Sequence, residues 1–254
     1  KAGASTLAAL AVPEARIKEV AAIVGAEPGV NHSYLREADW NLWFVATAPD
    51  ALALQAMLAR IEAASGLPLL DLRLVRPFNI DLGFPLAGGP ATMPGQRRVD
   101  AGVLRATDRP LLDALSRGLD LTPRPYAMLG LRIGREEAAV IHRIAELLEA
   151  GILTRLGVIV RHRSLGFTAN AMVVWEVPEG GTEAAGQALA TLPGVTLAYE
   201  RRPVAGVWPY RLYCMIHARS RPEALAVLDS ARALPALAGI DHRILFSTRC
   251  FKQS

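Results

Sequence analysis

The sequence has only two cysteines, Cys214 and Cys250, and three lysines, Lys1, Lys18 and Lys252, in 254 residues. Two thiols so far apart supply neither a metal box nor a disulfide framework, and they fit a reducing, cytoplasmic setting. No apolar run is long enough to span a bilayer, and the opening residues do not read as a signal peptide. The chain opens on Lys1 rather than Met, so it is expected to be a piece cut from within a longer protein. With lysine scarce, arginine carries the basic balance, a net charge of +4 and a pI of about 9.4. That is mildly basic, without a polybasic tail, and fits an anionic ligand or a nucleic acid equally well. A planar guanidinium binds carboxylate or phosphate bidentately, although a GC-rich genome gives the same arginine bias.

The chain is 52% hydrophobic and 20% charged, enough for one large domain or two of ordinary size. Seventeen prolines and 21 glycines mean several loops rather than disorder in so apolar a chain. The organisation comes from a repeat. Pro13, Gly29 and Tyr34 recur 165 residues later as Pro178, Gly194 and Tyr199. A constant offset across such anchors marks an internal duplication.

Each copy reads as strand, helix, strand, strand, helix, strand. In the first copy the spans are Thr6–Val12, Glu14–Ala26, Val30–Arg36, Leu42–Thr47, Leu52–Ser65 and Leu69–Leu74. In the second they are Ala169–Val177, Thr182–Thr191, Val195–Arg201, Arg211–His217, Pro222–Ala233 and Ile240–Phe246. The order βαββαβ predicts an α+β fold, two ferredoxin-like sandwiches packed as a pseudo-dimer, each covering the sheet face the other leaves bare.

Between the copies, the Gly/Pro/Ala-rich stretch Ala87–Gly102 reads as linker. Helices over Arg109–Arg117, Tyr126–Leu131 and Arg135–Ala150, with a β-wing through Ile152–Arg161, predict a winged helix-turn-helix. The expected domains are a first sandwich over 1–86, a linker over 87–107, the winged helix over 108–163 and a second sandwich over 164–254. By the repeat, a first winged helix is expected upstream of Lys1.

A winged helix followed by a ferredoxin-like domain resembles the Lrp/AsnC regulators. Four stretches make the chain more similar to the siroheme decarboxylases of the fused D–L type within that superfamily. They are "GVNHSYLREADWNLWF" (Gly29–Phe44), "GVIVRHRSLGFTANAMVVWEVP" (Gly157–Pro178), "WPYRLYCMIHARSR" (Trp208–Arg221) and "ILFSTRCFKQ" (Ile244–Gln253). The resemblance implies a lyase that removes the carboxyl groups of two acetate side chains of siroheme. The product would be 12,18-didecarboxysiroheme, on the way to haem d1 or haem b, and the D–L arrangement implies haem d1 biosynthesis and a denitrification context. It also implies an iron tetrapyrrole as substrate, related decarboxylase subunits as partners, no cofactor beyond the substrate and no resident metal.

The regulator reading is the alternative. A DNA reader of this fold puts the start of its recognition helix among phosphates. Here that helix begins Arg135-Glu136-Glu137, which suits the helix dipole but opposes phosphate. The enzyme reading needs cations for carboxylates and a proton donor. Arg36, Arg161, Arg163, Arg201, Arg202, Arg211 and Arg219 lie beside aromatic strand edges, with Tyr34, Tyr199 and Trp208, and with Trp40, Trp43 and Tyr210, as walls for a flat ring.

Among five histidines, His142 reads as surface and His242 as packing, while His217 ends a strand and faces either sheet or ligand. His32 shares a strand face with Tyr34, and its counterpart in the second copy is Leu197, so the halves are specialised. His162 stands between Arg161 and Arg163. His32 and His162 are the expected catalytic pair, each a proton donor or a contact to the substrate iron.

Overall fold

The computed structural model describes residues 3–80, 99–116, 118–153 and 166–253. The expected wing beyond Leu153, and Arg161, His162 and Arg163 with it, lie outside the described residues. The chain divides into two compact units, residues 1–91 with 161–254, and residues 92–160.

In the larger unit the first copy runs β1 (Ala4–Leu10), α1 (Ile17–Ala26), β2 (Val30–Arg36), β3 (Leu42–Ala48), α2 (Ala51–Ser65) and β4 (Leu69–Ile80). The smaller unit holds α3 (Arg109–Ser116), α4 (Pro125–Ile133) and α5 (Glu137–Glu149). The second copy follows with β5 (Ala169–Trp175), α6 (Thr182–Thr191), β6 (Val195–Arg201), β7 (Leu212–Ala218), α7 (Arg221–Arg232) and β8 (His242–Gln253).

Local chemistry accounts for the repeat's punctuation. The turn before β2 needs glycine because a Cβ on Gly29 would stand 2.2 Å from the Thr47 carbonyl oxygen. Its counterpart Gly194 has a φ of 90°, which side-chain-bearing residues avoid. Asp50 caps α2 by accepting from the Ala53 N–H, and Ser220 caps α7 by accepting from that of Glu223.

The main difference from the sequence reading is in the last strand of each copy. β4 was expected to stop at Leu74 and β8 at Phe246, yet each has 12 residues. The first part of β4 pairs with β1 of its own copy, and its tail pairs with β6 of the other. Likewise β8 pairs first with β5 and then with β2. The two sandwiches therefore do more than pack. They close into one eight-stranded barrel in the order β1-β3-β2-β8-β5-β7-β6-β4, which leaves no free sheet edge.

The exchange keeps the same register on both sides. Leu74, Arg76, Pro77, Asn79 and Ile80 pair with Arg201, Glu200, Tyr199, Ala198 and Leu197. Their counterparts 173 residues on, Ser247, Arg249, Cys250, Lys252 and Gln253, pair with Arg36, Leu35, Tyr34, Ser33 and His32, with bulges at matching places.

Each copy has an apolar core between its helices and its sheet, centred on Phe44, Leu54 and Ile61 in the first and on Trp175, Leu189 and Ile216 in the second. A third core fills part of the barrel interior with Trp43, Leu72, Met172, Trp208, Tyr213 and Leu245. The smaller unit packs around Leu111, Leu129, Val140 and Leu147 and carries a buried ion pair. There Arg143 Nε donates to Asp108 Oδ1 at 2.8 Å, and the guanidinium holds the Asp108 carboxyl at about 2. Among the described residues no helix is long and apolar enough to cross a membrane.

The exchanged tail of β4 is held by Phe78, whose ring lies where a Cβ on Gly186 of α6 would be, 2.2 Å from Cε2. Gly186→Ala should therefore destabilise the larger unit by about 1–3 kcal/mol in urea unfolding. An unchanged midpoint would show that Phe78 does not hold the tail.

Candidate functional site

Alternation along β2 sorts its side chains. Ser33 turns toward α1, while His32, Tyr34 and Arg36 turn into the barrel, where Tyr34 pairs in register with Trp43. In the second copy Leu197, Tyr199 and Arg201 take the matching places on β6.

The strand order shows how these places are related. Going round the barrel, β1-β3-β2-β8 is followed in the same sense by β5-β7-β6-β4. The half-turn that relates the copies therefore runs along the barrel axis, and equivalent residues sit at the same mouth. At that mouth, the start of β5 and the end of β7 bring Asn170 opposite His217. The start of β1 and the end of β3 bring their counterparts, Ser5 and Thr47, opposite each other.

The polar contacts there are continuous. Asn170 Nδ2 lies 2.8 Å from His217 Nε2, and His217 Nδ1 lies 2.8 Å from Thr196 Oγ1. Thr196 Oγ1 donates to the Met215 carbonyl oxygen, so it accepts from Nδ1–H, and Nε2 accepts from the Asn170 amide. In the first copy Asn31 Nδ2 donates to Thr47 Oγ1 at 3.1 Å. His32 follows Asn31 on β2, half-buried, with Nδ1 out of solvent and without a hydrogen-bond partner. Burial holds its pKa below the ordinary histidine value.

Deeper in the barrel lie two arginine–tyrosine pairs related by the same half-turn. Arg36 stands 5.7 Å from the Tyr34 ring centre and Arg201 stands 5.2 Å from that of Tyr199. Arg36 Nη1 donates to the Leu245 carbonyl at 3.0 Å, and Arg201 Nη1 to the Leu72 carbonyl at 2.9 Å. Leu72 and Leu245 are themselves counterparts, so each arginine ties one copy to the equivalent point of the other.

Arg36 is 6% exposed, and neither arginine has a carboxylate partner among the described residues. Both leave a buried Nε–H unpaired. Desolvation pushes Arg36 down to about 10, lowers Arg201, and pushes the Tyr199 hydroxyl up to about 12. Arg36 Nη1 also stands 3.4 Å from Asn170 Oδ1, which links it to the His217 chain.

The structure therefore brings together His32, Tyr34, Arg36, Tyr199, Arg201 and His217. Arg219, exposed just after β7, adds a cation at the same mouth, 5.9 Å from the Phe167 ring centre. Two expected contacts fall elsewhere. Trp208 is 2% exposed, packs 5.4 Å from Trp43 and donates its indole N–H to Tyr213 Oη, so it is core rather than ligand wall. Arg211 precedes β7 at the far end of the barrel and reaches Glu179 at 3.4 Å.

His142 lies on the surface beside Glu146, and His242 stacks on Trp175 at 4.8 Å. Asn170 and Thr196 were missed, although an asparagine within the otherwise apolar strand "ANAMVVW" was a visible signal. Among the described residues no cluster of His, Cys, Asp and Glu suits a metal ion.

A buried cation without a counterion costs stability, and an apolar chain of similar length removes that cost along with two hydrogen bonds at Arg36 and one at Arg201. Arg36→Met and Arg201→Met should each leave the unfolding free energy within about 1 kcal/mol of wild type or raise it. A loss of about 3 kcal/mol or more would mark them as structural ties alone.

Known proteins agree with this architecture. The AsnC-like ligand binding domain family matches residues 1–78 and 164–252, and the siroheme decarboxylase NirDL-like HTH domain family matches residues 108–153. A siroheme decarboxylase NirDL subunit of Paracoccus denitrificans (strain Pd 1222) is 64% identical over 252 residues, covering 99% of this chain and 78% of that protein. A siroheme decarboxylase of Hydrogenobacter thermophilus is 31% identical over 261 residues, covering 98% and 75%. The crystal structure of the siroheme decarboxylase NirDL in co-complex with an iron-uroporphyrin III analogue matches with a TM-score of 0.69 at 29% identity, covering 99% of this chain and 73% of that one. On these matches the chain belongs to the siroheme decarboxylase NirDL family.

Proposed function

We propose that this chain is a carboxy-lyase that decarboxylates two acetate side chains of siroheme, with the polar mouth of the barrel as the docking place. The observation that carries the reading is the pair of histidines from opposite copies, His32 and His217, at one mouth above two buried guanidiniums without counterions. The 64% identity to a siroheme decarboxylase subunit supports the substrate. In this reading the ring meets the polar mouth and sends carboxylates inward toward Arg36 and Arg201.

Loss of CO2 from a pyrrole acetate leaves an electron pair on the exocyclic carbon. Protonating the pyrrole α-carbon first makes a cationic ring that accepts that pair. The C–C bond breaks, CO2 leaves, and a proton reaches the exocyclic carbon to complete the methyl group. The α-carbon proton is returned as the ring recovers its conjugation. Each decarboxylation thus takes up one proton, and the tetrapyrrole itself is the electron sink.

In this reading His32 and His162 donate the protons or contact the substrate iron, His217 contacts the substrate at the mouth, and Arg36, Arg201 and Arg219 with Arg161 and Arg163 hold carboxylates. Tyr34 and Tyr199, beside those guanidiniums, contact the side chains that the ring sends inward. Burial lowers the His32 pKa and so favours its neutral form in the free protein. Carboxylates arriving beside it favour the imidazolium, so the acid is loaded with the substrate. A cytoplasmic site of action, related decarboxylase subunits as partners and the absence of DNA binding complete the proposal.

Anaerobic incubation with siroheme, followed by product mass, tests it. Wild type should lose two CO2, and His32→Ala should slow conversion by about 100-fold or more. Full activity in both His32→Ala and His162→Ala would overturn the histidine assignment. The helix-turn-helix of α3–α5 is the observation behind a second reading, a DNA-binding regulator. The exposed Glu136 stands at the N-cap of α5 and opposes phosphate there, and Glu137 in its first turn pairs with Arg124. A gel shift on the upstream region of its own coding sequence, with no turnover of siroheme, would favour that reading.

A further inference from the structure

The duplication preserves backbone register across the exchanged strands but reverses the charge around them. In the second copy Arg76 of the β4 tail is neutralised. Its Nε donates to Glu200 at 2.7 Å, and its Nη1 contacts Glu183 of α6. Thr182 Oγ1 donates to the other Glu200 oxygen at 2.9 Å. Arg76 stands over the ring of Phe78, which fills the space above Gly186.

In the first copy the counterpart of Arg76 is Arg249, which stands over Phe251 at 5.0 Å in the same way. Every neutralising partner has changed. Glu183 corresponds to Lys18, Glu200 to Leu35 and Thr182 to Ile17. Gly186 corresponds to Ala21, whose methyl group occupies the space the ring would need. The result is a groove of about 490 Å³ between α1 and the β8 tail.

Lys18, Arg249 and Lys252 line this groove, and no acidic side chain does. Lys252 Nζ donates to the carbonyls of Gly25 and Glu27 at 2.9 and 3.3 Å, which fixes its charge in the wall. Ser33 also lines the groove. It is fully buried, and its hydroxyl has no partner. The matching residue in the second copy is Ala198, so the hydroxyl belongs to the open groove and not to the fold.

We infer that this groove binds a small oxyanion on an apolar stem, a carboxylate or a phosphate. Arg249 and Lys18 supply the charge, the Ser33 hydroxyl donates from the base, and Phe251 with Ala21 packs against the stem. The site is distinct from the barrel mouth. It lies across β2, where Ser33 faces out toward α1 and His32 and Tyr34 face in. It exists only because the tail of one copy lies against the helix of the other.

Isothermal titration of the whole chain with sodium succinate and, separately, with inorganic phosphate tests the inference. Saturable binding of succinate alone identifies a carboxylate site, binding of phosphate alone a phosphate site, and binding of both a general oxyanion site. Lys18→Glu restores the acid that the second copy carries and should pair with Arg249. It should weaken binding at least about 10-fold while leaving the melting temperature equal or higher. Ser33→Ala should weaken binding by about 3- to 10-fold. Binding of neither anion, or binding by Lys18→Glu as tight as by wild type, would overturn the inference.

Discussion

The exchange of strand tails between the two copies is the constraint on which the rest depends. A ferredoxin-like sheet has an edge and a bare face. By running β4 and β8 past the ends of their own sheets, the chain removes both at once. The closed barrel then has an interior, and that interior has two different parts. Tryptophan, tyrosine and leucine fill one part, while asparagine, threonine and histidine gather at one mouth. The arginine ties between Arg36 and Leu245 and between Arg201 and Leu72 follow the same half-turn.

Within this shared backbone the side chains have diverged. His32 corresponds to Leu197 in the repeat, His217 to Thr47, and Asn170 to Ser5. On the outer face Lys18 stands where Glu183 does, and Ala21 where Gly186 does. Backbone register is a global property of the barrel, because a one-residue slip would turn every core side chain outward. Side chains at the mouth and in the outer groove carry no such constraint. A duplicated fold is thus free to build one composite site from unlike halves, which suits a substrate whose side chains are not all equivalent.

Much of this was legible in the sequence. Hydrophobic period and turn residues located β2, β6 and α6 at both ends, because local signals decide those elements. The tails of β4 and β8 were not legible. Residues such as Arg76 and Arg249 look like the end of a strand, and only pairing with a partner more than a hundred residues away keeps them extended. His32 and Tyr34 were readable as one face by alternation, and the structure adds Arg36 to it. Trp208 was misread because an aromatic in a loop looks available, whereas its N–H already has a buried partner in Tyr213. Asn170 and Thr196 matter only through His217, and that contact exists only in three dimensions.

In the proposed reading, carboxylates of an iron tetrapyrrole enter the barrel mouth beside His32 and are held by the buried guanidiniums. A crystal structure of this chain with siroheme tests it most directly. At least one ring carboxylate is expected within about 4 Å of the Arg36 or Arg201 guanidinium, with the His32 imidazole against the ring. A ring bound with every carboxylate remote from both arginines, with Arg36 still on the Leu245 carbonyl and the Asn170 side chain, and Arg201 still on the Leu72 carbonyl, would contradict it.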